Sequence, residues 1–142
     1  TNRYYTGNQP LRILLDNTLK VPRHFQLYQQ KTPLLILNTV KEAEEAHCIF
    51  KLWDQHLPLP VQLGKILYNM QKNSVIIEGG TRLLETFINE GAWDEARIIL
   101  NQSLVIENGL PAPAWVAHQP VQQFVIGSDE ISIFRNISTL SN

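Results

Sequence analysis

The residues best suited to chemistry stand together in SVIIEGGTRLL, residues 74–84, where strand-forming apolar residues meet an acid, two glycines and then a helical pattern. If 74–78 is a strand of an open α/β sheet, Glu78 arrives at the carboxyl edge, where ligands of such sheets collect. The helix that follows offers unpaired amides and about half a positive charge at its first turn, an arrangement that holds phosphate. Gly79 and Gly80 leave no Cβ between that backbone and a ligand. Thr81 can cap the helix or donate its hydroxyl, and Arg82 can add charge. A tight structural turn would use the same glycines, with Glu78 bonded to main-chain amides. Neither G-x-G-x-x-G nor Gly-Lys-Ser/Thr is present, so the standard nucleotide fingerprints do not decide between the two.

Other candidates are weaker. Cys48 is the single cysteine, which excludes an internal disulfide and multi-cysteine zinc patterns, and beside Ile49 and Phe50 it reads as a buried thiol. His24, His47, His56 and His118 are scattered, and none stands four residues from another as a metal pair would. Glu42, Glu44 and Glu45 read as a solvated face. Asp94-Glu95 reads as the polar start of a strand, since no nearby base completes an acid pair. Trp53, Trp93 and Trp115 are expected to pack core or interface.

Those residues need a scaffold, and 142 residues suffice for one domain with one core. The chain is 44% hydrophobic and 18% charged with net charge −1, an ordinary globular balance without the clustered Lys and Arg that nucleic acid requires. No apolar run approaches the ~20 residues of a membrane span, and TNRYYTGNQP is not a secretory signal. A soluble cytoplasmic protein is the expectation. Because the chain begins with Thr1, it is also read as a piece of something longer.

LRILLD, 11–16, and PLLILN, 33–38, read as buried strands, with the polar stretch between them as connecting structure. VKEAEEA, 40–46, reads as a short solvated helix or turn, and HCIFKLW, 47–53, as a further strand. Pro58 and Pro60 suit a helix start, after which Leu63, Ile66, Leu67 and Met70 form an amphipathic stripe. Strand 74–78, a helix over about 81–90, Gly91 as its left-handed cap and strand 95–101 predict a right-handed parallel crossover. Residues 107–120 form a Gly/Pro-rich loop, and the runs flanking Gly127-Ser128-Asp129 predict an antiparallel hairpin. The expected class is α/β, a mixed sheet flanked by helices and ending in that hairpin.

VIIEGGTRLLETFINEGAWDEARIIL resembles the hallmark segment of the reductase domain of the bifunctional riboflavin-biosynthesis deaminase-reductases, a family with a dihydrofolate-reductase-like fold. The shared pattern is strand, Glu78-Gly79-Gly80, a helix with Leu83, Leu84 and Phe87, then Gly91-Ala92-Trp93-Asp94-Glu95 and a strand. QPLRILLD, 9–16, is similar to the family's Arg-(apolar)₃-Asp strand, and EISIFRN also fits. The resemblance implies NADPH-dependent reduction of 5-amino-6-(5-phosphoribosylamino)uracil to its ribitylamino form. Carried over by position, it implies that Arg3 and Glu78 bind substrate. Asn17, Gly80, Thr81, Arg82, Leu83, Leu84, Glu85 and Thr86 would bind the cofactor. Relatives carry Pro-Thr where this chain has Thr81-Arg82, so contacts at the helix start are expected to differ.

The family's first strand, a Lys/Ser segment and Asp-Asn-Pro precede the equivalent of Thr1, so the reductase domain, 1–142, is expected to be N-terminally truncated, and either inactive alone or completed by a partner chain or by further residues. A homodimer is the expected assembly, with a zinc deaminase domain upstream in the full-length chain; its H-x-E and P-C-x-x-C signature does not occur in these residues. Two rivals are a related oxidoreductase acting on another small heterocycle and a non-catalytic dimerisation fragment. Hydride transfer needs placement and electrostatics, so the lack of a nucleophile triad fits.

Overall fold

The computed structural model describes residues 7, 9–115 and 119–136. Two compact units divide the chain, Thr1–Gln62 and Leu63–Asn142. The first contains strand β1 (Arg12–Leu15), the one-turn helix α1 (Gln26–Gln29), and strands β2 (Leu34–Asn38), β3 (Ala43–Glu45) and β4 (Cys48–Leu52). They form one mixed sheet in the order β1-β2-β4-β3, with β1–β2 and β2–β4 parallel and β3–β4 antiparallel. The central strand explains the unbroken apolar run of LLILN, because a strand covered on both faces has no polar side. Leu34 and Ile36 align with Cys48 and Phe50 and form a core with Tyr28, against which Leu14, Leu19, Val21, Leu27 and Ala43 pack.

Residues 43–45 are a strand, not the helix or turn their composition suggests. A seven-residue stretch is too short to nucleate a helix unaided, whereas pairing with β4 gives its backbone partners at once. Ion pairs Lys51–Glu42, Arg23–Glu45 and Lys41–Glu45 hold the ribbon. The acids remain on the solvent side as expected, with Glu44 and Glu45 exposed.

Helix α2 (Leu59–Asn69) contains the division between the units; Leu59, Leu63 and Leu67 form its buried row, and Ile66 and Met70 are partly covered. The second unit continues with α3 (Thr81–Asn89), β5 (Glu95–Asn101), β6 (Gln122–Ile126) and β7 (Asp129–Arg135). Its sheet, β5-β7-β6, is antiparallel throughout. The hairpin β6–β7 forms where Gly127-Ser128 predicts it, and Gly127 alone of the two has positive φ (63°), as a type II′ turn requires. Helix α3 ends in a Schellman motif: the amides of Gly91 and Ala92 bond the carbonyls of Ile88 and Phe87, with Gly91 at φ 62°.

Residues 74–78 do not form the strand that their residue types predict. Among the described residues no strand pairs with them, and Ile76 is 83% exposed. Strand propensity measures packing against neighbours, so without a partner it leaves the backbone irregular. The parallel crossover into β5 is therefore absent, and β5 pairs antiparallel with β7. Trp93, Trp115 and Phe134 stack with ring centroids 5.2 and 4.9 Å apart. The buried Asn136 ties the α3–β5 joint to β7, its side-chain amide donating to Gly91 O (2.9 Å) and Trp93 O (2.8 Å).

Candidate functional site

In the first unit the carboxyl ends of three parallel strands come level, so Asn17, Thr39 and Trp53 each lie just past them. Asp16 is buried, and its two carboxylate oxygens accept from the amides of Lys20 and Val21, both at 2.9 Å. The chain after β1 is thereby bent into a fixed turn. Asn38, fully buried, accepts from the amides of Val40 (2.9 Å) and Lys41 (2.7 Å) and donates to the carbonyls of Ile36 and Lys51. Thr39 donates both its amide and its hydroxyl to Asn17 O at 2.9 Å. The indole N–H of Trp53 donates to Asn17 Oδ1 at 3.0 Å. Trp53 was legible only as an aromatic packing residue, because its polar partner stands 36 positions away.

In the second unit Glu78 is exposed on the irregular segment leading to α3. It does not sit at a strand end, which corrects the sequence expectation. Gly80 is the N-cap, with φ −69° and ψ 170°, and its carbonyl accepts from Leu83 (3.0 Å) and Leu84 (3.2 Å). The amides of Thr81 and Arg82 precede that ladder, as the first amides of any helix do. Thr81 does not cap its own helix: its hydroxyl donates to Pro111 O at 2.6 Å. Thr86 donates to Arg82 O at 2.9 Å, and Phe87 buries the helix's apolar face.

The two glycines differ. A Cβ on Gly79 would meet Leu83 Cβ at 2.8 Å and Cδ2 at 2.4 Å, so packing against α3 demands a glycine there. A Cβ on Gly80 would meet nothing within 4 Å, and its backbone angles suit any residue. Neither packing nor conformation calls for glycine at 80, and the bare main chain faces open space.

A family model described as the RibD C-terminal domain matches residues 1–105. The chain belongs to this family. The riboflavin biosynthesis protein RibD of Aquifex aeolicus is 29% identical over 109 residues, covering 72% of this chain and 30% of that protein. The chain is thus similar to a part, under a third, of that relative. RibD of Acinetobacter baumannii superposes with TM-score 0.72 at 16% identity, covering 89% of this chain and 37% of the other. A Thermotoga maritima diaminohydroxyphosphoribosylaminopyrimidine deaminase/5-amino-6-(5-phosphoribosylamino)uracil reductase superposes with TM-score 0.74 at 20% identity, covering 95% and 40%. At these identities the superpositions establish the fold, the mixed α/β architecture of the RibD reductase domain.

Within the RibD family, the cofactor positions expected from the sequence fall in two places. Gly80 to Thr86 form one continuous helix start in the second unit, while Asn17 lies at the sheet edge of the first. Arg3 lies outside the described residues. Burial pushes the Cys48 thiol up from its ordinary pKa, against a weaker opposing pull from Arg23, which suits a core residue and not a nucleophile. Among the described residues no group of three or more His, Cys, Asp or Glu side chains is placed to hold a metal ion. No helix among them is long and apolar enough to cross a membrane. Glu95 bonds Arg97 at 2.8 Å and Arg135 at 3.2 Å, consistent with a structural acid at the head of β5.

Proposed function

We propose that residues 1–142 serve as the reductase domain of riboflavin biosynthesis, using NADPH to reduce 5-amino-6-(5-phosphoribosylamino)uracil to the ribitylamino compound. The observation that carries this reading is Gly80: a glycine that the fold itself does not need, placed at a helix start within a family of RibD reductase domains. The residues present fit a dinucleotide. The amides of Thr81 and Arg82 and the Arg82 guanidinium would hold its phosphates, with Gly80 allowing close approach. Asn17, in the first unit, is the further cofactor position that the family resemblance implies. NADPH, when bound, supplies the hydride, and the chain's own residues bind and orient the reactants. Glu78 and Arg3 would hold the substrate, Arg3 as a charge-assisted partner for its phosphate.

Binding of NADPH alone should raise the melting temperature, since a ligand held only by the native state stabilises it. Glu78→Gln should slow NADPH oxidation with the pyrimidine substrate by about tenfold or more, as loss of a charged hydrogen bond does, while leaving NADPH affinity unchanged. Unaltered turnover in that variant would remove Glu78 from the substrate site. Should the 142 residues bind NADPH without turning over, the same pair of measurements belongs in a fusion that supplies the RibD segments preceding this stretch.

A pairing role is favoured by one observation. Ile99, Ile131 and Phe124 stand in register across the second sheet, and Ile99 (65%) and Phe124 (38%) remain exposed. A homodimer covering that row is the assembly this supports.

A further inference from the structure

We propose that Trp53 is a positioning residue for Asn17, fixing its side-chain amide so that the NH2 group, and not the oxygen, faces the bound dinucleotide. The inference rests on the reading that Asn17 meets the cofactor, and adds how it does so and what holds it there.

The register makes the geometry unusual. Asn17 follows β1 and Trp53 follows β4, and these strands flank β2 on opposite sides. Strands two apart are separated by roughly 9–10 Å, so the indole must reach over the end of the central strand to donate to Asn17 Oδ1 at 3.0 Å. An indole N–H can only donate, whereas an Asn amide has an accepting end and a donating end. The contact therefore settles which end faces Trp53: the oxygen does, and the NH2 group is turned away from the ring.

The main chain carrying each of the two side chains is held as well. Asn17 O already accepts from Thr39 twice, and the main-chain amide of Trp53 is bonded to Asn38 O at 3.0 Å. Both backbones are thus held by the strand beneath the indole. Asn17 and Trp53 are each half-buried, so neither residue is closed off in the core. Two donors in a fixed direction recognise an acceptor, such as a phosphate or sugar oxygen, and disfavour a donor. Trp53→Phe would keep the ring's packing while freeing the amide to rotate.

The test uses the full 142-residue chain labelled with 15N. Its three tryptophans give three indole cross-peaks, and the one absent from Trp53→Phe belongs to Trp53. Asn17→Ala should move that peak and leave the other two in place. NADPH affinity should fall about three- to tenfold in Trp53→Phe and by a similar factor in Asn17→Ala, the range of one neutral hydrogen bond. The double variant should bind no more weakly than Asn17→Ala alone, because the indole acts through the amide.

Asn17→Asp supplies a second reading. It keeps an acceptor for the indole, so the Trp53 peak should stay near its wild-type position, but it points a carboxylate oxygen at the ligand and should abolish binding. Multiplying losses in the double variant, or Asn17→Asp binding as well as wild type, would overturn the proposal while wild-type affinity for NADPH left the functional reading intact. A wild-type chain indifferent to NADPH would overturn both.

Discussion

The carboxyl edge of β1, β2 and β4 and the first turn of α3 present hydrogen-bond donors by opposite means. At the sheet edge side chains secure the main chain: Asp16 and Asn38 between them accept four backbone amides, and Trp53 orients Asn17. At the helix start the main chain itself is the functional surface, and Gly80 keeps side chains out of its way. The first arrangement draws on buried polar groups, each of which becomes costly if its partner is removed. The second has little to lose in stability and much in binding. Substitutions at the two places should therefore separate the two quantities.

The largest effect on stability is expected at Asn38. Replacing it with alanine leaves the amides of Val40 and Lys41 without their acceptor and removes two donations from a fully buried site. A loss of about 2–4 kcal/mol follows from hydrogen bonds of ~1 kcal/mol each with some unsatisfied groups left behind. Urea unfolding of Asn38→Ala measures it. A loss under half a kilocalorie, on that same scale, would mean that water replaces the side chain and that this edge is not locked as described.

The paired glycines sharpen the contrast within three atoms of main chain. Gly79→Ala forces a methyl against Leu83 and should cost about 1–3 kcal/mol, the usual penalty of overpacking. Gly80→Ala meets no atom and adopts allowed angles, but alanine is a poorer N-cap than glycine, which offsets the gain from a less flexible unfolded chain, so stability should stay within about 1 kcal/mol of wild type. NADPH affinity should nevertheless drop about tenfold or more at Gly80, where the new methyl stands between the ligand and the amides. Melting temperature and NADPH titration on both variants form one experiment. If Gly80→Ala binds NADPH as tightly as wild type, the helix start is only a turn.

How far these features could be read in the sequence follows from how local their causes are. The unbroken run at 34–38, the left-handed Gly91 and the Gly127-Ser128 hairpin rest on near neighbours, and the structure contains all three. Residues 74–78 and 43–45 were misjudged for complementary reasons. The first has strand-forming residues with no pairing strand among the described residues, and the second has helix-forming residues beside a strand that accepts it. The difference between Gly79 and Gly80 was invisible because it depends on where Leu83 packs. Arg-(apolar)₃-Asp pointed correctly to the end of β1, yet nothing near Asn17 signalled the indole that holds it.

The smallest effect concerns acid, and it should touch only the side-chain-secured region. Lys41, whose amide Asn38 fixes, also pairs with Glu45 and lies 4.2 Å from the Phe50 ring centroid, with Arg23 at 4.7 Å from the same centroid. The hydrogen bond from Lys41, followed by the charges of Lys41 and Arg23, lowers the Glu45 pKa against a weaker upward push from desolvation. A carboxyl whose folded pKa is depressed contributes stability that is complete above its unfolded pKa and lost as pH falls through the folded value. Acidification through the carboxylate range should therefore lower the hydrogen-exchange protection of β3 and β4, taken relative to the intrinsic rate at each pH, in the wild type. Glu45→Gln should show that lower protection already at neutral pH, with most of the pH dependence of the protection gone. Because Glu45 is exposed, salt should blunt the wild-type effect. Residues 80–84, where the main chain needs no such support, should be protected alike in both proteins; acid-sensitive protection there that vanished in Glu45→Gln would dissolve the distinction between the two regions.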